Sequence, residues 1–227
     1  MRIDPEVFSP SVLESAVNHA RARNIVLPTF SQLADPDTIP DEFRNRLPKV
    51  SSGEADPLNL FRIHWFNGRD GGTVPVPLGV ELPSALTGVR ARIVVALGDA
   101  FPMIAAHKVL AAYACLVTRL VSGRFDPVAN RAVWPSTGNY CRGGIAISRI
   151  LECRGVAVLP EEMSRERFNW LEQWTLNPGE DIIRTTGSES NVREIYEACD
   201  ALERDPDNVI LNQFSEFANY LCHRSIT

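Results

Sequence analysis

From Gly88 onward the chain alternates short β-rich runs with stretches of helical period, and this alternation constrains its fold more than any other feature. "RIVVAL" precedes a predicted helix over about 104–121, "AVW" one over about 143–153, "GVAVL" one over about 164–174 and "DIIRT" one over about 190–203. A last β-rich run lies in "VILNQF". Such alternation is the sequence form of a parallel sheet covered by helices, so the chain reads as α/β, a parallel twisted sheet with flanking helices. Apolar spacing agrees: Leu110, Tyr113, Val117 and Leu120 make one helical stripe, and Val192, Ile195, Cys199 and Leu202 another. Gly123 and Gly155 are expected where helices stop.

Residues 1–88 read differently. Prolines in "LPTF", "IPDEF", "RLPKV" and "VPVPLGVELP" break any period, and only residues 11–22 carry a clear helical pattern. An irregular segment wrapped on the rest is expected there. "GRDGGT" follows no strand, so it reads as a turn rather than a phosphate loop.

At 227 residues and 44% hydrophobic, the chain can bury one large core or two small ones. A formal charge of −5 argues against nucleic acid or an anionic membrane as partner. No apolar run reaches the roughly 18 residues that span a bilayer. "MRIDPEVFSPSVLES" lacks the apolar core of a secretory signal, so a cytoplasmic protein is expected. Cys115, Cys141, Cys153, Cys199 and Cys222 show no paired spacing and are expected as free thiols, with Cys141 a candidate reactive one beside a helix start. His19, His64 and His223 share no metal-ligand spacing, which favours structural or surface roles.

In a parallel sheet, ligands gather where strands hand over to helices. Two such loops are chemically unusual. "FPMIAAHK" delivers His107 and Lys108 into a helix start, where the macrodipole is already positive and a lysine is electrostatically misplaced. "WPSTGNYCRGG" offers Ser136, Thr137, Gly138, Asn139 and Tyr140 just ahead of Gly143 and Gly144. Hydroxyls and backbone N–H groups at a helix N-terminus bind anions, and small residues let the backbone approach a ligand. Taken singly, a lysine more often snorkels to solvent, and a Ser-Thr-Gly-Asn string is more often a turn with its cap.

Taken together, the loops resemble the second fold type of pyridoxal-phosphate enzymes, the group of cysteine synthase, the tryptophan synthase β subunit and threonine dehydratase. "AHKV" resembles the Ala-His-Lys of tryptophan synthase β, and "STGNYCRGGIAISRIL" the asparagine loop of cysteine synthase. "VAVLPEEMSRERFNWLE" and "NVILNQFSEFAN" are similar to later segments of the same family. The likeness covers about residues 60–227 and points to a longer, cysteine-synthase-like subfamily with an N-terminal extension.

That resemblance implies pyridoxal 5'-phosphate as cofactor. Lys108 would hold it covalently and move the substrate Cα proton, Asn139 would bond the ring hydroxyl oxygen, and His107 would lie near the phosphate. Ser136, Thr137, Gly138 and Tyr140, with Gln213, would hold the substrate carboxylate. The physics fits, because a helix start and desolvation both disfavour the ammonium form of Lys108. The implied activity is β-elimination or β-replacement on an amino acid. Threonine or serine deamination, or a non-catalytic regulatory half, are the alternatives. Ala106 stands where cysteine synthase proper has serine, which loosens the link to that one reaction.

The same resemblance divides the chain into residues 1–90, an N-terminal extension with the start of a large domain, and residues 91–227, a small domain carrying both loops. The glycine-rich phosphate loop and the pyridine-nitrogen partner would belong to a complementary C-terminal half outside this chain. The assembled unit is expected to dimerise.

Overall fold

The structure is a computed structural model that describes residues 6–226. It opens with α1 (Pro10–Ala22), capped by the Ser9 hydroxyl and started by a proline whose missing N–H costs nothing there. Short turns follow: α2 (Phe30–Ala34), fixed by a Thr29/Gln32 capping box, and α3 (Asp41–Arg44). The rest of this segment is held by side chains bonded to main-chain carbonyls. Arg62 donates to Val50 O and Leu47 O, Asn59 to Ser51 O and Glu54 O, and Asn67 to Arg62 O and His64 O. "GRDGGT" is a turn, with Gly71 at φ 83° and the Asp70 carboxylate accepting from Gly72 N.

Next come β1 (Gly79–Leu82), α4 (Ser84–Thr87) and β2 (Ile93–Ala96). Here the alternation misleads. "RIVVAL" does not join the parallel sheet; β2 pairs antiparallel with β1 in a separate hairpin whose Val80, Val94 and Val95 are exposed. A short valine-rich run fits either arrangement, and the preceding strand, hidden in a proline-rich stretch, decides it.

The expected α/β order then holds. α5 (Lys108–Val121), β3 (Arg131–Pro135), α6 (Asn139–Ile150), β4 (Arg154–Pro160), α7 (Arg165–Trp174), α8 (Pro178–Asp181), β5 (Ile182–Thr185), α9 (Val192–Leu202), β6 (Asn208–Ile210) and α10 (Phe217–Ile226) follow in turn. The four later strands form a parallel sheet in the order β5-β4-β3-β6. Val133, Val156 and Val158 face Ile195 and Cys199 of α9, while Ala132, Trp134, Ala157 and Leu159 face the main core on the other side. Period-two alternation thus supplies both faces.

α5 is the centre of that core. Every residue from Val109 to Val117 is buried, so that stretch of the helix has no solvent face; each of its large apolar side chains contributes about 1.5–3 kcal/mol on burial. α6, α10 and α1 pack around it, and the Tyr113 hydroxyl donates to Pro28 O at 2.6 Å. Gly123, at φ 66°, ends α5 as expected. Gly155 does not end α6. It lies inside β4, while Glu152 at φ 50° turns the chain. A Cβ at Gly155 would come within 2.7 Å of Ser148, so the glycine serves close packing of α6 on the sheet. Among the described residues no helix is long and apolar enough to cross a membrane.

Candidate active site

Lys108 is the first residue of α5, and Asn139 the first of α6. The two helix starts are brought together by small residues. A Cβ on Gly143 would lie 3.0 Å from Lys108 O and 3.1 Å from Val109 Cα, and one on Gly144 would lie 2.0 Å from the Trp134 ring. Two adjacent glycines therefore let α6 sit directly on α5 and on β3.

Lys108 is half-buried and makes no hydrogen bond or ion pair among the described residues. The loop before it carries two non-glycine residues with left-handed backbone, Met103 at φ 66° and Ala105 at φ 49°. Strain of this kind costs on the order of 1 kcal/mol per residue and collects at functional sites. His107 stacks on Trp65, with centroids 5.6 Å apart, and meets His223 of α10 edge-on at 5.6 Å. Burial first, and then the Lys108 charge, lowers the pKa of His107; burial, His107 and Lys108 do the same for His223. Both imidazoles are therefore neutral at pH 7.

On the other loop, the buried Ser136 hydroxyl accepts from Gly138 N at 3.0 Å, and the Thr137 carbonyl accepts from Arg167 at 3.1 Å. Gly138 is open on its side-chain side. Asn139 is exposed, and its amide has no hydrogen-bond partner among the described residues. The first N–H groups of α6 lack partners within the helix and remain available to a ligand.

Gln213 leaves β6 beside the loop that leaves β3, so both issue from one edge of the sheet. Its carbonyl is taken by Asn219 at 2.8 Å, and its side chain has no partner among the described residues.

Two expectations are corrected. The Tyr140 ring turns into the core, where its hydroxyl donates to Leu211 O at 3.0 Å, so that hydroxyl cannot hold a carboxylate. Cys141 is fully buried and its thiol is pushed up to about 12 by that burial, which makes it inert. All five cysteines are free, as expected, and all are buried. Trp65 and His223 border His107, and Arg167 reaches Thr137, without a sequence signal, because each comes from a separate element.

A free lysine, a free carboxamide, neutral imidazoles and unbonded helix N–H groups stand at or beside the starts of two packed helices. No carboxylate is paired with Lys108 among the described residues. That donor set fits an anionic, ring-bearing cofactor held covalently by an amine.

No family model matches the chain. The "Probable cysteine synthase" of Bacillus subtilis (strain 168) is 29% identical over 120 residues, covering 52% of this chain and 36% of that protein. The chain thus spans about a third of the length of that curated relative. Among solved structures, an O-acetylserine dependent cystathionine beta-synthase from Helicobacter pylori matches with a TM-score of 0.55 at 15% identity, over 64% of this chain and 46% of the other. Cysteine synthase from Entamoeba histolytica matches with 0.54 at 21%, over 65% and 44%. A hydrogen sulfide-producing enzyme from Fusobacterium nucleatum matches with 0.53 at 20%, over 66% and 46%. The chain has the fold of the second type of pyridoxal-phosphate enzymes. In sequence it is cysteine-synthase-like.

Proposed function

We propose that this chain supplies the catalytic lysine and the substrate loop of a cytoplasmic pyridoxal-phosphate enzyme that removes or exchanges the β-substituent of an amino acid. One observation supports the reading: Gly143 packs α6 against the backbone at the start of α5, and the lysine and asparagine that open these two helices have side chains without partners among the described residues. The names of the similar proteins support it, since cysteine synthesis, O-acetylserine-dependent cystathionine synthesis and hydrogen sulfide production all exchange or release a group at Cβ.

When bound, the cofactor would supply an electron sink for the substrate Cα. The chain's own residues do the rest. Lys108 Nζ anchors the cofactor and carries the Cα proton. The Asn139 carboxamide bonds the ring oxygen. The Ser136 and Thr137 hydroxyls, the Gly138 turn, the first N–H groups of α6 and the Gln213 amide hold the substrate carboxylate, and neutral His107 donates toward the phosphate.

On the family resemblance, the phosphate loop and the pyridine-nitrogen partner are assigned to a complementary C-terminal portion. Residues 91–227 then act as the small domain, and residues 1–90 extend toward the large one. The exposed Val80, Leu86, Val94 and Val95 of the hairpin, with Phe214, Phe217 and Tyr220, are the surfaces such a portion would cover, and the assembled unit is a dimer.

The test is to assemble the chain with that portion and record its visible spectrum with pyridoxal phosphate. A lysine-bound band that borohydride bleaches, absent in Lys108→Ala, is the expected result. A band that persists in Lys108→Ala removes the lysine from this role. Release of product without an added nucleophile separates elimination from replacement.

A further inference from the structure

Arg142 lies in the first turn of α6, where the helix dipole disfavours a cation just as it does at Lys108. Its guanidinium lies over the Trp170 ring of α7, 4.7 Å from the centroid, and its Nε is buried with no hydrogen-bond partner. Arg167, one turn earlier on α7, reaches back to Thr137 O in the substrate loop. Neither arginine forms an ion pair among the described residues. Glu166 is the carboxylate whose charge Arg142 feels, and it is exposed and not bonded to either arginine. Burial first, and Arg167 next, lowers the Arg142 pKa, which marks two cations crowded together.

Arg142 and Arg167 come near each other close to a helix start, and like charges so placed repel unless an anion completes them. The indole under Arg142 and the carbonyl under Arg167 use one face or one nitrogen of each fork and leave the others for a ligand. Burial of the Arg142 stem between α6 and α7 fixes where that fork points. A cation placed only for solubility would stand on an exposed face, and neither residue does.

We propose that Arg142 and Arg167 form a subsite for a small oxyanion, a carboxylate or phosphate group, at the outer rim of the Ser136–Asn139 loop. The anion is either the second acidic group of the amino-acid substrate or a free anion that stiffens the loop through Arg167 and Thr137. The first source rests on the function proposed above; the subsite itself does not.

Inorganic phosphate is the probe. Titrated calorimetrically into the assembled protein, it binds, and Arg142→Gln and Arg167→Gln each weaken that binding about tenfold or more. Arg167→Lys, which keeps charge but not the fork, falls between. Lys108→Ala, which removes the proposed cofactor anchor, leaves binding at the arginines in place, so the two ideas fail separately. A substrate source raises KM in Arg167→Gln for amino acids bearing a second acid and spares neutral ones. A free-anion source leaves both KM values alike while phosphate binding is lost. Unchanged phosphate affinity in both Gln variants, with melting temperatures equal to the parent's, overturns the proposal.

Discussion

The segment before Lys108 and the α/β part after it are held together by different means. From about residue 47 to 67, much of the order comes from single side chains: Arg62, Asn59 and Asn67 each satisfy carbonyls that no ladder reaches, and His64 accepts from Phe66 N at 3.1 Å. From β3 onward, backbone ladders and close-packed helices do the same work collectively. The first kind of order depends on a few polar groups keeping their protonation and place. The second depends on volume.

The largest expected effect breaks the α/β side. Gly144→Val would drive side-chain carbons into the Trp134 ring, because even the first added carbon lies 2.0 Å from it. A loss of at least about 3 kcal/mol, or failure to fold, is expected in denaturant titration. Recovery of near-parent stability would show that α6 can lift off the sheet.

The next effect separates the two regions by pH. Burial, the largest cause, and the Arg62 charge lower His64 to about 4 from an ordinary 6.5, against a raising contribution from a bond at Phe61. The unfolded chain therefore binds a proton on His64 that the folded chain refuses between those values. His64 contributes full stability above pH 6.5 and loses it as the pH falls toward 4, by on the order of 2 kcal/mol. Chemical denaturation at pH 7.5 and 4.5 reads the slope, and His64→Gln should reduce it. An identical slope in the variant would place the acid sensitivity elsewhere.

The smallest effect probes the strained loop between the two regions. Ala105→Gly removes the steric penalty of φ 49° and should raise stability by about 0.5–1 kcal/mol. A loss of stability in thermal melts would mean that the Ala105 methyl group packs usefully enough to outweigh its strain.

The same contrast explains what could be read in advance. Parallel strands and amphipathic helices announce themselves by period, so β3, β4, β5, α7 and α9 fall close to their predicted places. β2 has that period too and still lies outside the sheet, since pairing is not written in a single run. Lys108 stands out in the sequence as a charge in the wrong place and Asn139 as a polar residue among glycines, and the fold sets each at a helix start. Tyr140 was misread because one step into the helix turns its side chain to the core. His223 and Trp65 come from distant, unpatterned stretches, and only the fold brings them to His107.

The contact of Gly143 with the backbone of Lys108 bears on how α5 and α6 can move. Main chain touching main chain leaves no flexible side chain between α5 and α6 to take up a displacement, so the two helix starts travel as one body. Under the proposed function, a substrate would be admitted by other parts sliding past this pair, with Lys108 and Asn139 as the fixed side. Amide exchange in the second turns of α5 and α6 should accordingly be synchronous, with neither helix fraying ahead of the other.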